Sequence, residues 1–206
     1  MAEPPAVAER ADEVMPGIWR WAVANANIGG AESTGHAVRG DEGTVFIDPV
    51  RLAPVELERL EPVVAICLTA QCHQRSAWRY RRELGAPVHA PEGTRPMEEE
   101  PDRRYAAGDD LPGGLRAVHT PGPEDVHFSF LRSGDPSVLF CSDLLTHYEG
   151  RDLDFVPAAY HDDPEQARRT VAGFLELDFD VLCLDHGLPI LDDPKAEIRA
   201  LLARTS

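Results

Sequence analysis

Eight histidines, four cysteines and 36 acidic side chains are the groups in this 206-residue chain that could do chemistry. Cys72 and His73 are adjacent, which on paper suggests a thiolate–imidazole nucleophile. Neighbours on an extended segment point to opposite sides, so that pair forms only if the chain turns there. Ser76 and Ser142 lack the G-x-S-x-G setting of a serine hydrolase elbow. The Gly-Gly pairs at 29–30 and 113–114 lack the strand–glycine–helix context of a phosphate loop. Cys67, Cys72, Cys141 and Cys183 lie in or at the ends of apolar runs with no C-x-x-C pair, so free thiols are expected rather than disulfides or a zinc finger.

The elements that must position these groups are legible in the apolar pattern. Segments 17–24, 33–40 and 44–48 predict three early strands, the last ended by Asp48-Pro49. Residues 54–60 carry helical spacing, and 63–69 form a continuous β-branched run typical of a strand buried on both faces. A helix over 74–84 with Gly85 as its stop precedes a short strand at 87–91. Residues 92–114 show no clear period and predict a surface excursion. Strands at 115–120, 126–131 and 137–142 follow, then a capped helix at 162–177, a buried strand at 180–187 and a closing helix at 194–203.

Apolar residues make up 43% of the chain and charged residues 27%, enough for one core, and the length suits one domain. Residues 1–15 are expected to be a polar tail and 16–206 a single domain. The net charge is −16 with no basic stripe, which argues against nucleic acid. No apolar run spans a bilayer and the first residues are not signal-like, so a soluble, cytoplasmic protein without membrane contact is expected. Oligomeric state is left open.

Five segments, in order, resemble the metallo-β-lactamase superfamily: TVFIDP (44–49), AICLT (65–69), HTPGPEDVHFSF (119–130), SVLFCSD (137–143) and LDHG (184–187). The third is similar to the HTPGHTxGHxSF stretch of glyoxalase II-like members. The resemblance implies an α+β chain folded as an αββα four-layer sandwich, with a metal site at one sheet edge. It also implies ligands from H-x-H-x-D-H, a histidine after T-P-G, a bridging Asp and a final His. In this chain the first four ligand positions fall on Ala70, Cys72, Gln74 and Arg75, and the next on Pro123. Only Asp143 and His186 keep ordinary ligand chemistry. A dinuclear zinc centre is therefore expected to be absent, leaving a hydrolase-like fold with a degenerate site, no cofactor, and a residual cleft for a small molecule or a protein partner. On this reading Arg75 places its guanidinium in the second metal position and pairs with Asp143.

The alternative is a mononuclear ester or thioester hydrolase with one zinc, iron or manganese held by Asp143, His186 and His73 or Cys72. Asp143 and His186 are its catalytic candidates. Asp48, His119 and His127 match family positions that do not bind metal directly, and are expected to orient turns or pack beneath the site. His147, Tyr148, Tyr160 and His161 belong to a loop, 144–163, that would cover the cleft. His36 and His89 fall in strands and are expected at the core edge or surface.

Overall fold

A computed structural model describes residues 3–205. Seven strands pair in chain order into a first sheet: β1 (Asp12–Met15), β2 (Ile18–Ala24), β3 (Glu32–Arg39), β4 (Thr44–Ile47), β5 (Val63–Cys67), β6 (Val88–Pro91) and β7 (Arg103–Tyr105). The second sheet contains β8 (Asp110–Leu111), β9 (Leu115–His119), β10 (Phe128–Arg132), β11 (Val138–His147) and β12 (Asp154–Phe155) as an antiparallel series. β13 (Val181–Gly187) joins it parallel to β11. Helices α1 (Pro54–Leu60) and α2 (Ala77–Leu84) pack on the first sheet. Helices α3 (Pro164–Gly173) and α4 (Pro194–Arg204) pack on the second.

Strand alternation builds the layers. Val45 and Ile47 of β4 and Ala65 and Cys67 of β5 face the core between the sheets, where Phe130, Phe140, Val181 and Cys183 meet them. The intervening Phe46 and Ile66 face α1 and α2 with Trp21, Trp78 and Tyr80. Leu139, Cys141, Leu182 and Leu184 face the opposite helices, against Val171, Phe174, Ile198 and Leu201. The period of two sends successive side chains into different cores, so these strands read as unbroken apolar runs. The order of layers is the expected αββα sandwich.

Helix ends follow local chemistry. Asp163 caps α3 by accepting from the Gln166 N–H at 2.8 Å, with Pro164 opening the helix. Gly85 ends α2 in the left-handed conformation.

Several expectations change. Residues 3–15 are docked rather than free: Asp12–Met15 form an edge strand, Ala8 and Ala11 are buried, and Glu3 accepts from Arg79. The 92–114 segment contains β7 and β8, each too short to print a period. β11 runs through His147, so that histidine sits on a strand rather than in a covering loop. His36 is fully inside, 4% exposed, beside Phe140. Among the described residues no helix is long and apolar enough to cross a membrane.

Gly187 ends β13 at φ +106, and a Cβ there would lie 2.0 Å from the His147 carbonyl oxygen. Backbone cannot yield as a flexible side chain would, so Gly187→Ala is expected to destabilise by more than about 4 kcal/mol. Urea denaturation checks this; a wild-type midpoint would contradict it.

Candidate metal centre

The loop after β5 turns immediately. Thr69 is tied to Asp48, whose Oδ1 accepts from the Thr69 N–H at 2.8 Å and whose Oδ2 accepts from the Thr69 hydroxyl. Gln71–Gln74 then turn in 3-10 fashion with a kink at His73 (φ −92, ψ 18). Three residues per turn separate neighbours by about 120° instead of the 180° of a strand, so Cys72 and His73 reach the same carboxylate. This corrects the expectation that the two side chains diverge.

That carboxylate is Asp143, on β11. Its Oδ1 accepts from His186 Nε2 at 3.0 Å. Its Oδ2 lies 2.9 Å from His73 Nε2 and 3.7 Å from Cys72 Sγ. The two imidazoles differ in how they are held. His186 donates at both nitrogens, because Nδ1 faces the Glu32 carbonyl at 2.5 Å, an acceptor only, and is therefore an imidazolium. His73 donates from Nδ1 to Asp48 Oδ2 at 3.0 Å, with the Thr69 and Ser142 hydroxyls at 2.9 and 3.0 Å. Its Nε2 is buried and faces Asp143 Oδ2 at 2.9 Å as an ion pair, with no regular hydrogen bond.

Arg75 is 7% exposed and adopts φ 34, ψ −114, a strained conformation for a residue with a side chain, costing about 1–3 kcal/mol. Its guanidinium does not pair with Asp143 as expected. It forms a fork with Asp185, Nη1 to Oδ1 at 2.8 Å and Nη2 to Oδ2 at 2.6 Å, and Nη1 also donates to the carbonyls of Thr34 and Asp48. The reason is geometric: Asp185, one residue before His186, points from β13 toward the first sheet, where its Oδ1 also faces the Thr34 N–H of β3.

Burial and Arg75 oppose charge on His73, but Asp143, Cys72 and Asp48 outweigh them and hold its pKa well above the ordinary value. His186 is raised against burial by Asp185 and Asp143. Burial would raise Asp143 and Asp185, yet the cations beside them hold both low. Burial, aided by Asp143 and Glu124, pushes the Cys72 thiol up to about 12, so without a cation it is no nucleophile.

Cys72, His73, Arg75, Asp143 and His186 line one cavity of about 790 Å³, which extends past Tyr148, Phe155 and Tyr160. Two overlapping sets of ligand atoms meet at Asp143: Cys72–His73–Asp143 and Asp143–Asp185–His186. Other expected site residues are structural neighbours. His119 donates to the Asp125 carbonyl, His127 to the Thr120 carbonyl, His147 to the Leu188 carbonyl and His161 to the Asp143 carbonyl. Sequence reasoning misses Asp185 and Ser142; an acidic residue inside the buried run 180–187 is the signal that marks the former.

No family model and no curated protein matches the sequence. Solved structures do match. The DIM-1 metallo-β-lactamase superposes with TM-score 0.74 at 13% identity, over 98% of this chain and 100% of that one. The metallo-β-lactamase family protein TTHA1429 from Thermus thermophilus gives 0.67 at 18%, over 94% and 80%. TTHA1623, in a di-iron-bound form, gives 0.60 at 23%, over 78% and 90%. The chain has the metallo-β-lactamase fold.

Burial holds His36 and His127 down to about 4. A base depressed below its unfolded value of about 6.5 contributes stability above that pH and loses it as the pH falls toward the folded value. His73 and His186 are shifted upward and are protonated in both states below about 6.5, so they add no slope there. Urea unfolding of the cation-free protein should show about 1 kcal/mol lost per depressed imidazole between about pH 6 and pH 5, where the raised histidines contribute almost no slope. A flat profile would contradict their burial as neutral groups.

Proposed function

We propose that the chain is a hydrolase of ester or thioester carbonyls built on a single divalent cation held by Cys72, His73 and Asp143, with no dinuclear centre. The observation that carries this is His73: its Nδ1 is anchored on a carboxylate while its buried Nε2 makes no hydrogen bond and faces Asp143. That is how an imidazole is prepared as a metal ligand, with the outer partner fixing tautomer and ring orientation.

The donors suit zinc. Bonds of about 2.0–2.1 Å to N and O and about 2.3 Å to S, arranged tetrahedrally, separate N from O by about 3.3 Å and S from O by about 3.5 Å. The observed separations are 2.9 and 3.7 Å. Charge fits too. Asp48, Asp143 and Asp185 face Arg75 and the His186 imidazolium, leaving one negative charge that the His73 proton balances. One divalent cation in exchange for the protons of His73 and Cys72 leaves the same neutral total. The pair of metals in the ordinary centre does not fit, because Ala70, Gln74 and Pro123 offer no equivalent donors and Arg75 covers Asp185.

When bound, such a cation supplies Lewis-acid polarisation and acidifies water. The chain does the rest. Asp48 orients His73, His186 holds Oδ1 of Asp143 so that Oδ2 stays turned to the open face, and the cavity walls of Tyr148, Phe155 and Tyr160 take the body of the substrate. The metallo-β-lactamases of similar fold and the glyoxalase II-like segment point to acyl transfer to water.

A second reading rests on the completeness of the ion pairs without any cation: the cleft is then a binding site for a small molecule or a protein partner. Elemental analysis separates the two. About one zinc per chain is expected after zinc incubation and desalting, lost in Cys72→Ser and His73→Asn. Asp48→Asn should weaken zinc by about 10- to 100-fold, and thioester hydrolysis should track zinc content. No zinc in the wild type overturns the hydrolase and favours the second reading.

A further inference from the structure

We propose that Arg75 is a built-in cation occupying a second divalent-metal position of this cleft, and that removing its charge opens that position to a metal ion. The position is defined by Asp143, Asp185 and His186, whose ligand-capable atoms all lie within 4.8 Å of one another. His186 Nε2 is 3.0 Å from Asp143 Oδ1 and 3.5 Å from Asp185 Oδ2. Two carboxylates and an imidazole that releases its Nε2 proton to solvent on binding are a donor set that hard and borderline divalent ions accept.

Two carboxylates with oxygens within 4.8 Å of one another, one of them on a side chain buried from water, demand positive charge beside them. The Arg75 guanidinium provides it, taking both oxygens of Asp185. Its Nη1 is also fixed by the Thr34 and Asp48 carbonyls, so elements of both sheets aim the head group. The backbone at Arg75 has a positive φ in support of that aim. An arginine neither dissociates nor loses its proton, so the position is permanently filled. Shortening or neutralising the side chain leaves Asp185 ionised with vacant oxygens beside Asp143 and His186, the arrangement that recruits a cation.

The proposal goes beyond the single-cation function, and the test separates the two. Wild type, Arg75→Gln and Arg75→Lys are incubated with zinc, desalted and counted by elemental analysis. Arg75→Gln should hold about one zinc per chain more than the wild type, whatever number the wild type holds, and Arg75→Lys should match the wild type. Adding Asp185→Asn to Arg75→Gln should remove the increment. Equal counts in wild type and a folded Arg75→Gln overturn the proposal. If Arg75→Gln does not fold alone, it is refolded from urea with zinc and with EDTA. Recovery of structure only with zinc supports the proposal, and no recovery with either overturns it. The wild-type count reports on the proposed hydrolase, and the increment reports on Arg75.

Discussion

The buried fork between Arg75 and Asp185 is the constraint around which the site is arranged. It joins the loop after β5 in the first sheet to β13 in the second, and its Nη1 reaches the carbonyls of Thr34 on β3 and Asp48 at the end of β4. Taking two charges out of water is costly, and a bidentate geometry with further acceptors on the guanidinium is what offsets that cost. Without the pair, Asp185 would be an uncompensated charge in the packed strand that delivers His186. The same contact keeps both Asp185 oxygens on the guanidinium, so Asp143, at 2.9 and 3.0 Å, is the nearer carboxylate to both histidines, with Asp185 Oδ2 at 3.9 and 3.5 Å.

From that arrangement the asymmetry of the imidazoles follows. His186 has a backbone carbonyl on one side and a carboxylate on the other, both pure acceptors, and becomes a fixed cation. His73 is hydrogen-bonded at Nδ1, with Asp48 strapped to Thr69, and turns Nε2 to Asp143 Oδ2 at 2.9 Å. The two residues share a type and opposite sides of one carboxylate. Their partners, not their identities, set them apart: one is a positioning cation, and the other is the ligand of the proposed function.

Much of the fold was legible because burial on two faces leaves a mark. The stretches 45–47, 63–68, 138–141 and 181–184 are apolar throughout, since each side chain enters one core or the other. Short pairings such as β7, β8 and β12 have two or three residues and print no period, and β1 is an edge strand whose acidic residues look like tail. In the site, Asp143 and His186 were marked by their places at the ends of recognisable strands. The partner of Arg75 was not. Whether a guanidinium reaches the carboxylate on β11 or the one on β13 depends on how the sheets are staggered, a distance of a few ångströms that no one-dimensional pattern carries.

The turn at 71–74 shows the same limit at smaller scale. Read as extended chain, Cys72 and His73 face apart; as a 3-10 turn, both face Asp143, and the difference between no site and a three-donor site is one backbone conformation. Loss of the ordinary ligand spacing therefore does not equal loss of ligand chemistry. The turn brings Cys72, and with it His73, one residue out of the resembled register, to Asp143, while Arg75 holds its guanidinium on Asp185. On the proposed function, the electrostatic demand of the cleft for cations is divided between one that cannot leave, Arg75, and one that can.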